Sequence, residues 1–143
     1  MLRSPAMSEF WDWAVAAYAR PGIAEACLEL QDTSGQNVPL LLWAVWRGGD
    51  VAAAVGLARA WDDEVVGPLR GVRRRLKGGA GAEALSERVK AVELEAERTL
   101  MLALEAVAGS VPDAGALTAV ARAWGGSPTS DSLARLSAMI TAA

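Results

Sequence analysis

From Val38 to Trp46 the chain reads Val-Pro-Leu-Leu-Leu-Trp-Ala-Val-Trp. A helix with this composition is apolar on every face, so it can be stable in water only if it is surrounded by protein. The run is under half of the roughly 20 residues needed to cross a bilayer. It is therefore expected as a buried helix, Val38 to Arg47, at the centre of a fold, with Asn37 as its cap and Gly48-Gly49 as its end. Everything else in the chain has to cover it.

The covering material also reads as helical. Ser8 is an N-cap for a helix from Glu9 to about Ala19, and Pro21 suits the first turn of a second helix reaching about Gln31. Ile23, Ala26, Cys27 and Leu30 share one face of that helix. Residues 32–37 form a turn-rich loop. Asp50 caps a fourth helix, Val51 to about Trp61, and a fifth segment runs from Asp62 to Lys77. The fifth is acidic at its start and basic at its end, as the helix dipole favours, and Gly67-Pro68 is placed to kink or divide it.

After Gly78-Gly79-Ala80-Gly81 the longest helix spans about 82–108, with an apolar stripe of Leu85, Val89, Val92, Ala96, Leu100, Ala103 and Val107. Two short helices, about 113–124 and 130–141, close the chain. No internal repeat or sustained heptad is present. The expected fold is an all-α, single-domain array of about seven helices, with residues 1–7 a flexible tail and 109–143 a helical cap. At 143 residues there is room for one core, and 52% hydrophobic residues, six of them Trp, supply it.

Composition removes many chemistries. The chain has no His, which excludes Ser-His-Asp and Cys-His catalysis and His-ligated zinc or haem. A single cysteine, Cys27, supports neither an intramolecular disulfide nor a Cys-rich metal site, and on an apolar helix face it reads as inert core. No metal or cofactor motif is visible, and the balance leans against an enzyme. A net charge of −3 disfavours generic binding to a phosphate backbone, which puts nucleic acid last among partners. Met1 to Met7 lacks the apolar segment of a signal peptide, and no run is long enough for a membrane span, so a cytoplasmic setting is expected. Met7 is an alternative start.

Four groups of residues remain as candidates. Arg70, Arg73, Arg74 and Lys77 share a helix flank and suit an acidic partner, a phosphate or a small acidic ligand. The competing and favoured reading is that they are solvated or pair with the long helix, where Glu83, Glu87, Glu93, Glu95, Glu97 and Glu105 outnumber Arg88, Lys90 and Arg98. Glu93 and Glu97, one turn apart, can join Asp62 or Asp63 in a carboxylate cluster, or meet those arginines in an ion-pair network. Gln31, Asp32 and Asn37 gather around one loop beside an aromatic-rich helix, as in a small-molecule pocket, although capping explains them equally well. Trp11 and Trp13 lie about 160° apart on a helical wheel, so one of them is expected as an exposed anchor. Tyr18 has no evident partner.

The residues Phe10-Trp11-Asp12-Trp13, Tyr18 with Pro21-Gly22, Cys27-Leu28 with Leu30-Gln31-Asp32, and Gly35 with Asn37-Val38 and Leu40-Leu41-Leu42 form one pattern. It continues through Trp61, Val65-Val66, Pro68-Leu69-Arg70, Arg73-Arg74, Leu76-Lys77 and Glu93 to Arg98. Over about residues 9–105 this pattern resembles a family of short, uncharacterised proteobacterial proteins, with Pro39 standing where a polar residue is more usual. The resemblance implies a small bacterial cytoplasmic protein and carries no catalytic residues with it.

Two functions compete on the sequence. One is a non-enzymatic interaction module that engages a protein partner through the basic helix and an exposed Trp. The other is a small-molecule binder, or an unrecognised enzyme, with a pocket of Trp, Gln, Asp, Arg and Glu. Self-association of an uncovered apolar face is open.

Overall fold

The computed structural model describes residues 8–125 and 130–141. Among them every regular element is helical: α1 (Glu9–Tyr18), α2 (Ile23–Ser34), α3 (Val38–Arg47), α4 (Val51–Trp61), α5 (Gly67–Leu76), α6 (Glu83–Glu105), α7 (Ala116–Trp124) and α8 (Ser130–Thr141). A π-helical turn, Asp62–Val66, joins α4 to α5 without a break. The described rods are therefore seven, as the sequence reading expects. The expected 1–7 tail lies outside the described residues.

α3 is the axle. Leu40 through Trp46 are all buried, and α1, α2, α4, α6, α7 and α8 each pack against it. Local chemistry sets where it begins: the Asn37 side chain accepts from the Leu40 N–H at 3.0 Å. Ser8 and Asp50 cap α1 and α4 in the same way, accepting from Trp11 N–H at 3.1 Å and Ala53 N–H at 3.1 Å. The α1 cap is reinforced from far along the chain. Glu105, at the end of α6, accepts from the Ser8 hydroxyl at 2.6 Å and the Phe10 N–H at 2.8 Å. Phe10 then stacks on Trp46 with ring centroids 4.9 Å apart.

The corner between α3 and α4 meets the turn after α6. Gly109 N–H donates to the Arg47 carbonyl at 2.8 Å, and Asp50 N–H to the Val107 carbonyl at 3.2 Å. A Cβ on Gly49 would stand 2.6 Å from both the Gly109 nitrogen and the Val107 oxygen, so only glycine admits this approach. Nearby, α7 is held to α4 by Arg59, which donates to the Trp124 carbonyl at 2.7 Å and lies 4.5 Å over its ring.

Several expected boundaries shift. α2 begins at Ile23 rather than Pro21, after a turn through Gly22, and runs on through Asp32 to Ser34, where left-handed Gly35 (φ 64°) closes it. Gln36 N–H reaches back to the Leu30 carbonyl at 3.0 Å, the bond that stabilises this type of helix end. α4 does not stop at Trp61. The backbone turns once with π geometry, Gly67 N–H donating to the Asp62 carbonyl, immediately before Pro68. Proline's missing N–H and bulky ring disfavour a regular turn there.

The largest departure is in α6. Its first half, with Leu85 51% exposed and Val92 half exposed, stands away from the core and packs on α5, in which no residue is fully buried. The buried positions of α6 are Glu93, Ala96, Leu100, Met101 and Leu104 instead of the full expected stripe. α5 offers arginines to this face, so a glutamate, not Val92, is the residue that fits inward.

Candidate functional site

Two adjoining cavities lie between α6 and the bodies of α1, α2 and α3. The larger, about 490 Å³, is apolar: Trp11, Val15 and Tyr18 of α1 face Leu42 of α3 and Leu94 and Met101 of α6. Ala14, with its short side chain, leaves part of this space open. The smaller, about 110 Å³, is polar, lined by Gln36, Asn37, Asp62, Arg70 and Trp124 among others. Gln31, Val38, Pro39 and Glu97 border both, so Glu97 stands where the apolar and polar halves meet. A volume of several hundred Å³ with an apolar wall and a few convergent polar groups is the usual form of a small-molecule site.

The polar end rests on a charge cluster between the π turn, α5 and α6. Glu93, only 8% exposed, accepts from Arg73 Nε at 2.9 Å and Arg73 Nη2 at 3.5 Å. Arg70 lies 4.0 Å from Glu93 and 3.9 Å from Asp62. The π turn brings Asp62 onto the face shared with Val66 and Arg70, and all three line the polar cavity. Hydrogen bonding to Glu93 raises the Arg73 pKa. Burial, followed by the neighbouring Glu93 charge, raises that of Glu97. Asp62, Glu93 and Glu97 thus face Arg70 and Arg73, leaving one negative charge in excess when all are ionised. Among the described residues no group of His, Cys, Asp and Glu is arranged to hold a metal ion.

Trp124 comes from outside the α1–α6 body to complete the polar wall. Its Nε1 donates to the Gly35 carbonyl at 2.8 Å, which locks the 35–37 loop beneath it. Gln36 is 3% exposed and donates through Nε2 to the Ala121 carbonyl at 3.3 Å. Its Oε1 is closed off from solvent and has no hydrogen-bond partner among the described residues. At the apolar end, the Arg98 guanidinium lies 4.4 Å over the Trp11 ring, and its Nε has no hydrogen-bond partner among the described residues. Burial raises the Tyr18 pKa first, with Cys27, Glu97 and Glu25 adding to the effect.

The structure brings Trp11, Gln31, Asn37, Arg70 and Glu97 to one groove, with Arg73 and Glu93 behind them. It separates the other candidates. Asp32 is exposed on the last turn of α2 because that helix outlasts the expected loop. Trp13 and Trp11 are both half-buried against the core, so neither is the exposed anchor expected from the wheel; contacts on both flanks of α1 account for this. Arg70 and Arg73 face α6 and are paired, whereas Arg74 and Lys77 are exposed and make no ion pair among the described residues. Burial pushes the Cys27 thiol up to about 11, in keeping with an inert core residue. The sequence reading missed Gln36, Leu42, Met101 and Trp124 as wall residues. Aromatic or apolar identity alone marks all but Gln36 as core, and the hydrogen-bond partner of Gln36 is on α7, far along the chain.

These features define an all-helical protein with a two-part groove, apolar at one end and polar at the other. The chain belongs to the family described as Protein of unknown function (DUF2390), whose model matches residues 9–104. That span contains every groove residue except Trp124. No curated protein and no solved structure matches the chain.

Proposed function

We propose that this protein binds a small amphipathic molecule in the groove between α1, α3 and α6, acting as a ligand-binding protein in a reducing, cytoplasmic setting. The observation that carries this reading is the 490 Å³ apolar cavity opening beside a polar one, with Glu97 at their junction. An apolar body in the larger cavity would gain by removal of its surface from water, and the polar end would fix its orientation. The interior pairing of Arg70 and Arg73 favours this function over an adaptor using the whole basic flank. The lone thiol, buried and without a disulfide partner, supports the compartment.

The groove is tested with the neutral fluorophore N-phenyl-1-naphthylamine, whose emission rises in apolar surroundings. Val15→Arg and Leu94→Trp fill the cavity from half-exposed wall positions where the fold tolerates change. The expected result is saturable binding that weakens at least about tenfold in each variant. Binding unchanged in both variants, with their helical content intact, rules the groove out.

A second reading is favoured by one specific observation. Arg74 and Arg75 of α5 and Lys77 just after it are exposed, as are Val72 of α5 and Leu85 of α6, the helix packed on α5. This is a mixed basic and apolar surface of the kind an acidic protein partner meets.

A further inference from the structure

We propose that the groove selects a cationic amphiphile, an alkyl- or arylalkyl-ammonium whose charged head sits in the polar cavity against Glu97 and Asp62. The proposal rests on the groove being a ligand site and adds the chemistry of its occupant.

Two independent observations fix the sign of the head group. First, the cations at this end already have acidic neighbours. Arg73 holds Glu93, and Arg70, which lines the polar cavity, lies between Glu93 and Asp62, so an incoming carboxylate or phosphate would have to compete with acids in place. Second, Glu97 makes no ion pair among the described residues, although it borders both cavities. An ammonium there would cancel the one-charge excess of the cluster and form charge-assisted hydrogen bonds in a partly dry site. Arg98 is stacked over Trp11 and lines neither cavity.

The apolar end sets the body. Leu42, Met101 and Leu94 make a wall suited to an alkyl chain or a single ring, and methionine accommodates either. The polar cavity, about 110 Å³, admits a primary ammonium group and leaves little room for a bulky head.

Octylammonium, 1-octanol and octanoate share one body and differ only in the head, so their affinities measured by calorimetry at neutral pH isolate its charge. The expected order is octylammonium at least about tenfold tighter than 1-octanol, with octanoate weakest. Glu97→Gln is nearly isosteric and is expected to erase most of the preference for octylammonium over 1-octanol; Asp62→Asn is expected to reduce the preference in part. Equal binding of all three, or octanoate binding best, overturns the cationic assignment. If the neutral fluorophore binds in that case, the groove itself survives. If neither the octyl compounds nor the fluorophore bind, the groove reading falls and takes this one with it.

Discussion

α3 and the α5–α6 hairpin are the two extremes of this molecule. α3 buries Leu40 through Trp46 without a gap, whereas α5 buries no residue fully, and the first half of α6 leaves Leu85 and Val92 about half exposed. The first region is held by apolar packing on all sides. The second is held by a strip of half-buried apolar contacts and by Arg70 and Arg73 reaching Glu93. The groove lies between them, with α3 supplying its apolar floor and the hairpin its charges. A rigid wall facing a more yielding one is what an adaptable ligand site needs, because regions that admit ligands come from the less stable part of a fold.

The contrast is broken most directly by truncation. Trp43→Ala removes a side chain with no exposure and is expected to cost about 3–5 kcal/mol, as large aromatic-to-alanine changes in cores do. Val72→Ala on α5, where the side chain is 46% exposed, is expected to stay within about 0.5 kcal/mol. Denaturant unfolding of the two variants checks both; similar losses would mean that the hairpin is as integral to the fold as the axle.

Next in size is Gly49→Ala. The added methyl meets backbone on the 107–109 turn, where nothing can swing aside, and a loss of about 1–3 kcal/mol in thermal or chemical unfolding is expected. A neutral outcome would show that the two corners can part freely.

The hairpin's charges give a smaller, more informative effect. Arg73→Ala leaves Glu93 buried beside Arg70 alone, and a destabilisation of about 0.5–1.5 kcal/mol is expected for this partly solvent-screened pair. Adding Glu93→Leu to that variant is expected to recover much of the loss, because removing both partners also removes the desolvation cost. A double-mutant cycle measures this, and additive losses would contradict a coupled pair.

These contrasts also show what the sequence made legible. Ser8, Asn37 and Asp50 announce their helices because each cap bonds three residues ahead, a purely local event. The apolar run of α3 announces its own burial. The α6 stripe misleads because periodicity assumes an apolar partner, and α5 presents Arg70 and Arg73 instead, so Glu93 turns inward. Trp11 and Trp13 mislead in the opposite direction: helices on both flanks of α1 half-bury both. For the site, Gln31, Asn37, Arg70 and Glu97 were within reach from residue type and spacing. Gln36 was not, since its environment is made by Ala121 and Trp124 on a helix distant in sequence.

The smallest expected effect concerns Glu97. Burial first, then Glu93 and more weakly Asp62, raise its pKa above the ordinary 4.5, while Arg70 and Arg73 oppose them. The folded-state value therefore exceeds the unfolded one. The stability linked to this group is fully present below the unfolded pKa and is lost as pH rises through the folded one. Glu97→Gln, which mimics the protonated form, is expected to match the wild type in acid and to exceed it slightly at neutral pH. Unfolding curves at both pH values check this, and a less stable variant at neutral pH would mean that the ionised carboxylate is favourably paired.

The central claim is that the groove, and not the exposed hairpin, is the working surface. A ¹H–¹⁵N correlation spectrum recorded through a titration with octylammonium tests it at single-residue resolution. The Trp11 indole N–H and the amides of Gln31, Gln36 and Glu97 are expected to shift together and to saturate, while the Trp43 indole and the amides of 74–85 stay in place. Shifts confined to 74–85, or none at Trp11 and Glu97 as the ligand saturates, would contradict it.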